Sequence, residues 1–101
     1  MTQIPSTIRL ELESRPSCVT LVRGMLTGLG ETLGLDPELL DDLKTAVSEA
    51  CNNVVLHAYP EGPGPLVVEL EVGRDGLQAT VRDRGGGIKQ ISAAQDRMGV
   101  G

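Results

Sequence analysis

One long amphipathic helix constrains the fold of this chain more than any other sequence feature. The helix is expected to begin at Asp36-Pro37, because aspartate is a favoured N-cap and proline is favoured at the first helical position. Apolar residues then recur three or four positions apart until Pro60. They are Leu39, Leu43, Val47, Ala50 and Val54. The pattern therefore predicts a helix with one apolar face that packs on the rest of the chain.

Alternating residues predict three strands. In 8–12, apolar and charged residues alternate with the period of a strand that buries one face. The same alternation occurs in 68–72 and 77–81, and Asp75-Gly76 between these two segments supplies a turn. We therefore expect the last two strands to form a hairpin.

Another helix is expected earlier in the chain. The apolar residues of 19–33 have helical spacing, and Gly34 can end that helix in a left-handed conformation. The proline-rich segment 60–65 is expected to be a loop, because proline suits neither a helix interior nor a central strand. The order strand, helix, helix, strand, strand predicts an α+β fold in one domain, with the helices on one face of the sheet.

Composition excludes several classes of function. The chain has 9 Lys and Arg against 14 Asp and Glu, and its aromatic side chains are limited to one Tyr, so no nucleic-acid partner is expected. No segment approaches the roughly 18 apolar residues of a membrane span, and the first residues do not resemble a secretion signal. Cys18 and Cys51 lie in apolar helical patterns, which favours free buried thiols and a reducing, cytoplasmic setting.

Polar residues follow one edge of the long helix. Glu49, Asn53 and His57 are four positions apart, and a helical projection places the first two beside the apolar stripe. Because the row winds toward the buried face, His57 is expected to be the most enclosed of the three. Taken alone, this spacing fits a solvated helix edge with a capping histidine better than a functional site.

The end of the last predicted strand adds a second polar feature. Asp83 shares the parity of the buried residues in 77–81, so its carboxylate is expected to face inward, where it needs a hydrogen-bond donor. The glycines of 85–87 follow directly and leave the backbone open to a ligand. With Glu49 and Asn53 on a facing helix, these residues predict a pocket. The alternative is a flexible glycine hairpin in which Asp83 is a turn former.

Three segments resemble the nucleotide-binding boxes of one superfamily. Residues 48–59, Ser-Glu-Ala-Cys-Asn-Asn-Val-Val-Leu-His-Ala-Tyr, resemble the N box of the GHKL, or Bergerat-fold, ATPases. Residues 81–88 resemble their G1 box, DxGxGI, and 97–101 resemble the start of the G2 box. Within that superfamily, 48–59 is most similar to the bacterial anti-sigma factor serine/threonine kinases. The resemblance implies one ATPase-like domain over 1–101 that ends within the G2 box, a two-layer sandwich with a mostly antiparallel mixed sheet.

The resemblance also implies roles for the matching residues. Asp83 would accept a hydrogen bond from the adenine amino group, and Asn53 would bind Mg²⁺ through its side-chain oxygen together with ATP phosphates. Glu49 would be the catalytic base that takes a proton from the attacking hydroxyl or water. His57 would line or brace the pocket. The other residues expected to bind the nucleotide are Gly85, Gly87, Ile88, Met98, Gly99 and Gly101.

The function implied is that of a cytoplasmic, ATP-dependent anti-sigma factor. Such a protein binds a sigma factor and phosphorylates a serine or threonine of a STAS-type anti-anti-sigma protein. The first helix can cover the sheet or pair with a second copy, and the related kinases are commonly homodimers.

Three alternatives remain open at this point. A nucleotide-binding regulatory module without kinase activity is favoured by the short segment 89–98, where the family has a flexible lid. A histidine-kinase-type catalytic domain would need a dimerisation helix, and no helical pattern precedes residue 8. A plain structural domain predicts no nucleotide affinity.

Overall fold

The computed structural model describes residues 7–73 and 76–94 and contains every helix and strand expected from the sequence. In chain order the elements are β1 (Thr7–Glu13), α1 (Pro16–Leu33), α2 (Pro37–Asn53), a π-helical turn (Val54–Ala58), β2 (Pro65–Gly73), β3 (Gly76–Asp83) and β4 (Ile88–Ala94). Two features differ from the sequence prediction. The α-helical part of the long helix ends at Asn53, before the π-helical turn, and β4 was not predicted.

The strands form one sheet in the order β1-β2-β3-β4, and neighbouring strands in the described residues are antiparallel. The register places apolar residues of neighbouring strands opposite one another. Val68 lies opposite Leu10 on one side and opposite Val81 on the other. Because side chains alternate between the faces of a sheet, this register gathers the apolar residues on one face. The predicted α+β class is confirmed.

The core lies between that face and the two helices. Its largest fully buried side chains come from both helices and from β2, the second strand of the sheet. They are Val22, Leu26, Leu39, Val47, Leu66, Val68 and Leu70. Burial of this aliphatic layer is the main force that holds the helices on the sheet.

Local signals fix the helix ends as the sequence predicted. At the end of α1, Gly34 adopts a left-handed conformation with φ of 71°. At the start of α2, the side chain of Asp36 accepts a hydrogen bond from the backbone N–H of Leu39 at 3.2 Å, and Pro37 follows as the first helical residue. Only residues 34–36 lie between the two helices, so α1 and α2 are close neighbours.

Pro65 lies in a central strand, so the prediction that the whole of segment 60–65 is a loop is wrong at its last residue. It is the first residue of β2, which lies between β1 and β3, and it pairs with Glu13 of β1. The partner strand β3 ends at Asp83, opposite Leu66. A proline is tolerated at the first position of a strand because no hydrogen bond from its nitrogen is needed there.

The first part of segment 89–98, which was expected to be a short lid, is a strand. Residues 88–94 form β4, which pairs with β3 in the register Val81 to Lys89. The rest of the expected lid, and the predicted nucleotide-binding residues Met98, Gly99 and Gly101, lie outside the described residues. Asp75 of the predicted turn also lies outside them.

Both cysteines are free and buried in the core, as the sequence predicted. Burial raises the pKa of the Cys51 thiol to about 12, and burial also raises the pKa of Cys18. The neutral thiol is therefore the stable form, and each side chain acts as a small apolar group. None of the helices in the described part of the chain is long and apolar enough to span a membrane.

Two glycines of α1 should respond in opposite directions to alanine. A Cβ on Gly30 would lie 2.6 Å from Cδ1 and 3.1 Å from Cγ of Leu40, whereas a Cβ on Gly28 would meet nothing within 4 Å. We expect Gly30→Ala to lower the free energy of unfolding by about 1–3 kcal/mol through overpacking. Gly28→Ala should raise it by about 0.5–1 kcal/mol, because alanine restricts the unfolded chain.

Urea unfolding of both variants beside the wild type tests this prediction. Since both substitutions add one methyl group to the same helix, the opposite signs isolate the contact between α1 and Leu40. A gain in stability from both variants would show that α1 and α2 do not pack closely at Gly30.

Candidate functional site

A cleft of about 630 Å³ lies between the C-terminal part of α2 and the connection from β3 to β4. This volume falls in the range of small-molecule sites, roughly 300–1,000 Å³. The lining includes side chains from the predicted helix edge and from the predicted glycine loop. The predicted site residues among them are Glu49, Asn53, His57, Asp83, Gly87 and Ile88. The two polar features of the sequence thus meet in one cleft.

Glu49 and Asn53 form the helix side of the cleft. They lie one turn apart near the end of α2, with exposed side chains, while Ala50 and Val54 beside them are buried. Among the described residues, no three His, Cys, Asp or Glu side chains form a cluster able to hold a metal ion. A Mg²⁺ that arrives with a triphosphate needs only one or two protein oxygens, and the amide oxygen of Asn53 is of the hard type that this ion prefers.

His57 lines the cleft but is exposed, as Glu49 and Asn53 are, so the row does not wind into the core as the sequence predicted. The reason is the π-helical turn that begins after Asn53. A π-helix takes more residues per turn than an α-helix, so four residues there advance less around the axis. The row consequently stays at the solvent edge and does not wind into the core.

A contact between the helices holds α2 beside the cleft, and sequence reasoning missed it. Ser48, the residue before Glu49, is buried and accepts a hydrogen bond of 2.9 Å from Nη1 of Arg23 in α1. The same Nη1 lies 3.4 Å from the carbonyl oxygen of Lys44. This contact joins α2 to α1 at the residue directly before Glu49. The only sequence signal was a polar residue beside the apolar stripe.

The carboxylate of Asp83 is held by its own loop. Its Oδ1 accepts a hydrogen bond of 3.0 Å from the backbone N–H of Gly87, and the backbone N–H of Asp83 donates to the carbonyl oxygen of Gly87 at 3.0 Å. The side chain is half-buried and lines the cleft. Within the described ranges Oδ2 accepts no hydrogen bond, so this oxygen can receive a donor from a ligand.

The loop shape depends on glycine at two positions. Gly86 has φ of 93°, a conformation that side chains disfavour. A Cβ on Gly87 would lie 2.5 Å from Oδ2 of Asp83, whereas a Cβ on Gly85 would lie 3.3 Å from Oδ1. Gly85 is also absent from the lining of the cleft. The glycine run therefore wraps the backbone closely around the carboxylate, which a merely flexible hairpin would not need.

Two further side chains from β4 complete this side of the cleft. Ile88 is 59% exposed at the cleft, so its side chain is available for contact with a flat apolar ligand. Lys89 is exposed and is the basic residue among those that line the cleft in the described structure. Sequence reasoning missed Lys89, because an isolated lysine after the glycine loop carries no distinctive pattern.

Comparison with known proteins gives a consistent result. A family model described as a histidine kinase-like ATPase domain matches residues 12–100. Serine-protein kinase RsbW of Bacillus velezensis is 37% identical over 90 residues, which cover 88% of this chain and 56% of the relative. RsbW of Listeria innocua is 40% identical over 79 residues, which cover 77% of this chain and 50% of the relative. The chain therefore spans about half the length of the curated relatives it matches.

Proposed function

Because the chain belongs to the histidine kinase-like ATPase domain family, we propose that it binds ATP in the cleft and acts as an anti-sigma factor with serine/threonine kinase activity. The observation that carries this proposal is the meeting of Glu49, Asn53 and Asp83 in one cleft of about 630 Å³. The relatives named serine-protein kinase support the choice of reaction.

Adenine would bind at the glycine loop. Oδ2 of Asp83 would accept the hydrogen bond from the adenine amino group, while Oδ1 remains bound to the Gly87 N–H. Ile88 would contact the flat face of the base, and Gly87 would line the base and the sugar, with Gly85 beside it in the same loop. The absence of a side chain at Gly87 allows the close approach that this contact needs.

The phosphates would extend toward the helix side of the cleft. Asn53 would hold Mg²⁺, which when bound neutralises phosphate charge, and His57 would line the same wall. Lys89 would add a positive charge near the phosphates. We include Met98, Gly99 and Gly101 in the proposed nucleotide site, as part of one ATPase-like domain over 1–101.

Glu49 would act as the general base. Its carboxylate takes the proton from a serine or threonine hydroxyl of the substrate protein, and the hydroxyl oxygen forms a bond to the γ-phosphorus of ATP. The bond from that phosphorus to the oxygen that bridges the β and γ phosphates breaks, and ADP leaves with the electron pair. Because Glu49 is exposed at the cleft edge, a protein substrate can reach it.

The partners we propose are a sigma factor and a STAS-type anti-anti-sigma protein, with the chain acting in the cytoplasm as a homodimer. Phosphorylation of the anti-anti-sigma protein would release the chain to bind the sigma factor. This part of the proposal rests on the similarity of residues 48–59 to the anti-sigma factor kinases.

Transfer of labelled γ-phosphate from ATP to candidate STAS-type proteins tests the reaction. We expect phosphoserine or phosphothreonine on the partner. Acid-labile phosphohistidine would favour a histidine-kinase-type domain, and ATP binding without transfer to any partner would favour a regulatory module. The absence of nucleotide binding by the folded chain would leave a plain structural domain.

A further inference from the structure

Tyr59 has two strong hydrogen bonds on a single oxygen. Its hydroxyl donates to the carbonyl oxygen of Pro65 at 2.6 Å and accepts from the backbone N–H of Arg84 at 2.7 Å. A tyrosine hydroxyl has one proton to donate, and both of its roles are used here. Tyr59 directly follows the π-helical turn, so this oxygen joins the end of the helix to the start of β2 and to the glycine loop.

The ring of Tyr59 packs on Gly64. A Cβ on Gly64 would lie 2.5 Å from the ring, so the ring packs directly on the glycine backbone. Gly64 is in turn fixed by Ser14: its N–H donates to Oγ of Ser14 at 2.9 Å, and its carbonyl oxygen accepts from the Ser14 N–H at 2.8 Å. Ser14 is buried, so the junction of Ser14 and Gly64 gives the Tyr59 ring a fixed surface to pack on.

Arg84 lies between Asp83 and the glycines, so its backbone position affects the carboxylate directly. The other hydrogen bonds of the loop join Asp83 to Gly87 and stay within the loop. In the described part of the chain, the bond to Tyr59 is the one hydrogen bond that ties residues 84–87 to another part of the protein. Without it, the loop could rotate as a unit on the ends of β3 and β4.

We infer that Tyr59 is a positioning residue for adenine recognition, which aims the Asp83 carboxylate through the Arg84 backbone. The inference rests on the proposed function, because the adenine contact at Asp83 belongs to that proposal. The same residue follows the helix that carries Asn53 and His57. Tyr59 therefore holds the two walls of the cleft in a fixed relation.

Tyr59→Phe tests the inference, since it removes the hydroxyl and keeps the ring on Gly64. The probes are adenosine and purine riboside, which lacks the amino group that would bind Asp83. We expect the preference of the 101-residue chain for adenosine over purine riboside to fall roughly tenfold in the variant, as one directed hydrogen bond is lost. Calorimetric titration of both nucleosides measures the ratio of the two affinities.

Ser14→Ala is the matched control. It removes a buried hydroxyl from the same junction and leaves the Gly64 N–H without its acceptor, but it does not touch Arg84. We expect it to lower thermal stability and to leave the ratio of nucleoside affinities unchanged, because the bond from the Ser14 N–H to the Gly64 carbonyl oxygen still holds Gly64 and the bond from Arg84 to Tyr59 remains. A folded Tyr59→Phe protein that keeps the wild-type ratio would overturn the inference and make Tyr59 a structural residue only.

The wild-type protein provides a second test if Tyr59→Phe does not fold. The chain has one Tyr, one His and neither Phe nor Trp, so the ring resonances of Tyr59 and His57 can be resolved separately by NMR. We expect adenosine to shift the Tyr59 resonances, and the midpoint of this NMR titration should match the midpoint measured by calorimetry. Purine riboside should shift the Tyr59 resonances less. Heat of binding with unmoved Tyr59 resonances would contradict the inference. If the wild type shows no preference for adenosine, the proposed adenine site at Asp83 is itself wrong.

Discussion

Glu49→Gln should abolish most phosphoryl transfer while it leaves the affinity for Mg-ATP unchanged. Glutamine has the size of glutamate but cannot take a proton, so the rate of transfer is expected to fall by roughly 10²–10⁴-fold. The fold should be unaffected, because Glu49 is exposed and makes no hydrogen bond or ion pair within the described structure. Single-turnover transfer to the partner protein, measured beside calorimetric titration of Mg-ATP, separates the two effects.

Glu38→Gln is the control for the change in charge. Glu38 is exposed in the first turn of the same helix, α2, far from the residues that line the cleft. We expect its transfer rate to equal that of the wild type. Retained transfer in Glu49→Gln, or an equal loss in both variants, would remove Glu49 from the proposed chemistry.

Asp83→Asn should weaken nucleotide binding by roughly 10–150-fold, because this is the usual contribution of a hydrogen bond to a charged acceptor. The asparagine Oδ1 can still accept from the Gly87 N–H, so the loop should keep its shape. The new amide group, in contrast, would place a donor where the adenine amino group also donates. Calorimetric titration with Mg-ATP and with adenosine should show the same loss, because both ligands carry the base.

Asp42→Asn serves as the matched variant for this test. Asp42 is an exposed carboxylate of α2 that does not line the cleft, and its substitution changes the net charge by the same amount. We expect wild-type affinity for both ligands. Similar losses in the two variants would indicate a general effect of charge and would argue against a contact between Asp83 and adenine.

The helices, three of the strands and the two walls of the cleft could be predicted because each depends on local periodicity. Asp36 and Gly34 mark helix ends through interactions within a few residues of themselves. Asp83 could be placed beside the pocket because side-chain direction along a strand has a period of two, so parity with Val81 decides its face. The structure shows that the two walls meet in one cleft.

The exposure of His57 could not be predicted, since the spacing of side chains does not show where an α-helix becomes a π-helix. The strand β4 was missed for a different reason. Its residues have no strict alternation, and they are held by pairing with β3, a partner that local patterns do not identify.

Contacts between distant segments were also beyond sequence reasoning. Arg23 and Ser48 are 25 residues apart, and so are Tyr59 and Arg84. Each bond depends on how the helices and strands pack, which no single segment specifies. The sequence marked Ser48 and Tyr59 only as members of a motif, and the structure supplies the atoms that they contact.

The central claim is that the cleft between α2 and the glycine loop is a nucleotide site. An NMR titration of the isotope-labelled chain with Mg-ATP tests it most directly, because every backbone amide reports separately. We predict saturable shifts for residues 83–88 and for Asn53, while Arg9 and Glu69, which are ion-paired with each other, stay unchanged. A folded chain with no saturable shifts, or with shifts centred on Arg9 and Glu69, would contradict the claim.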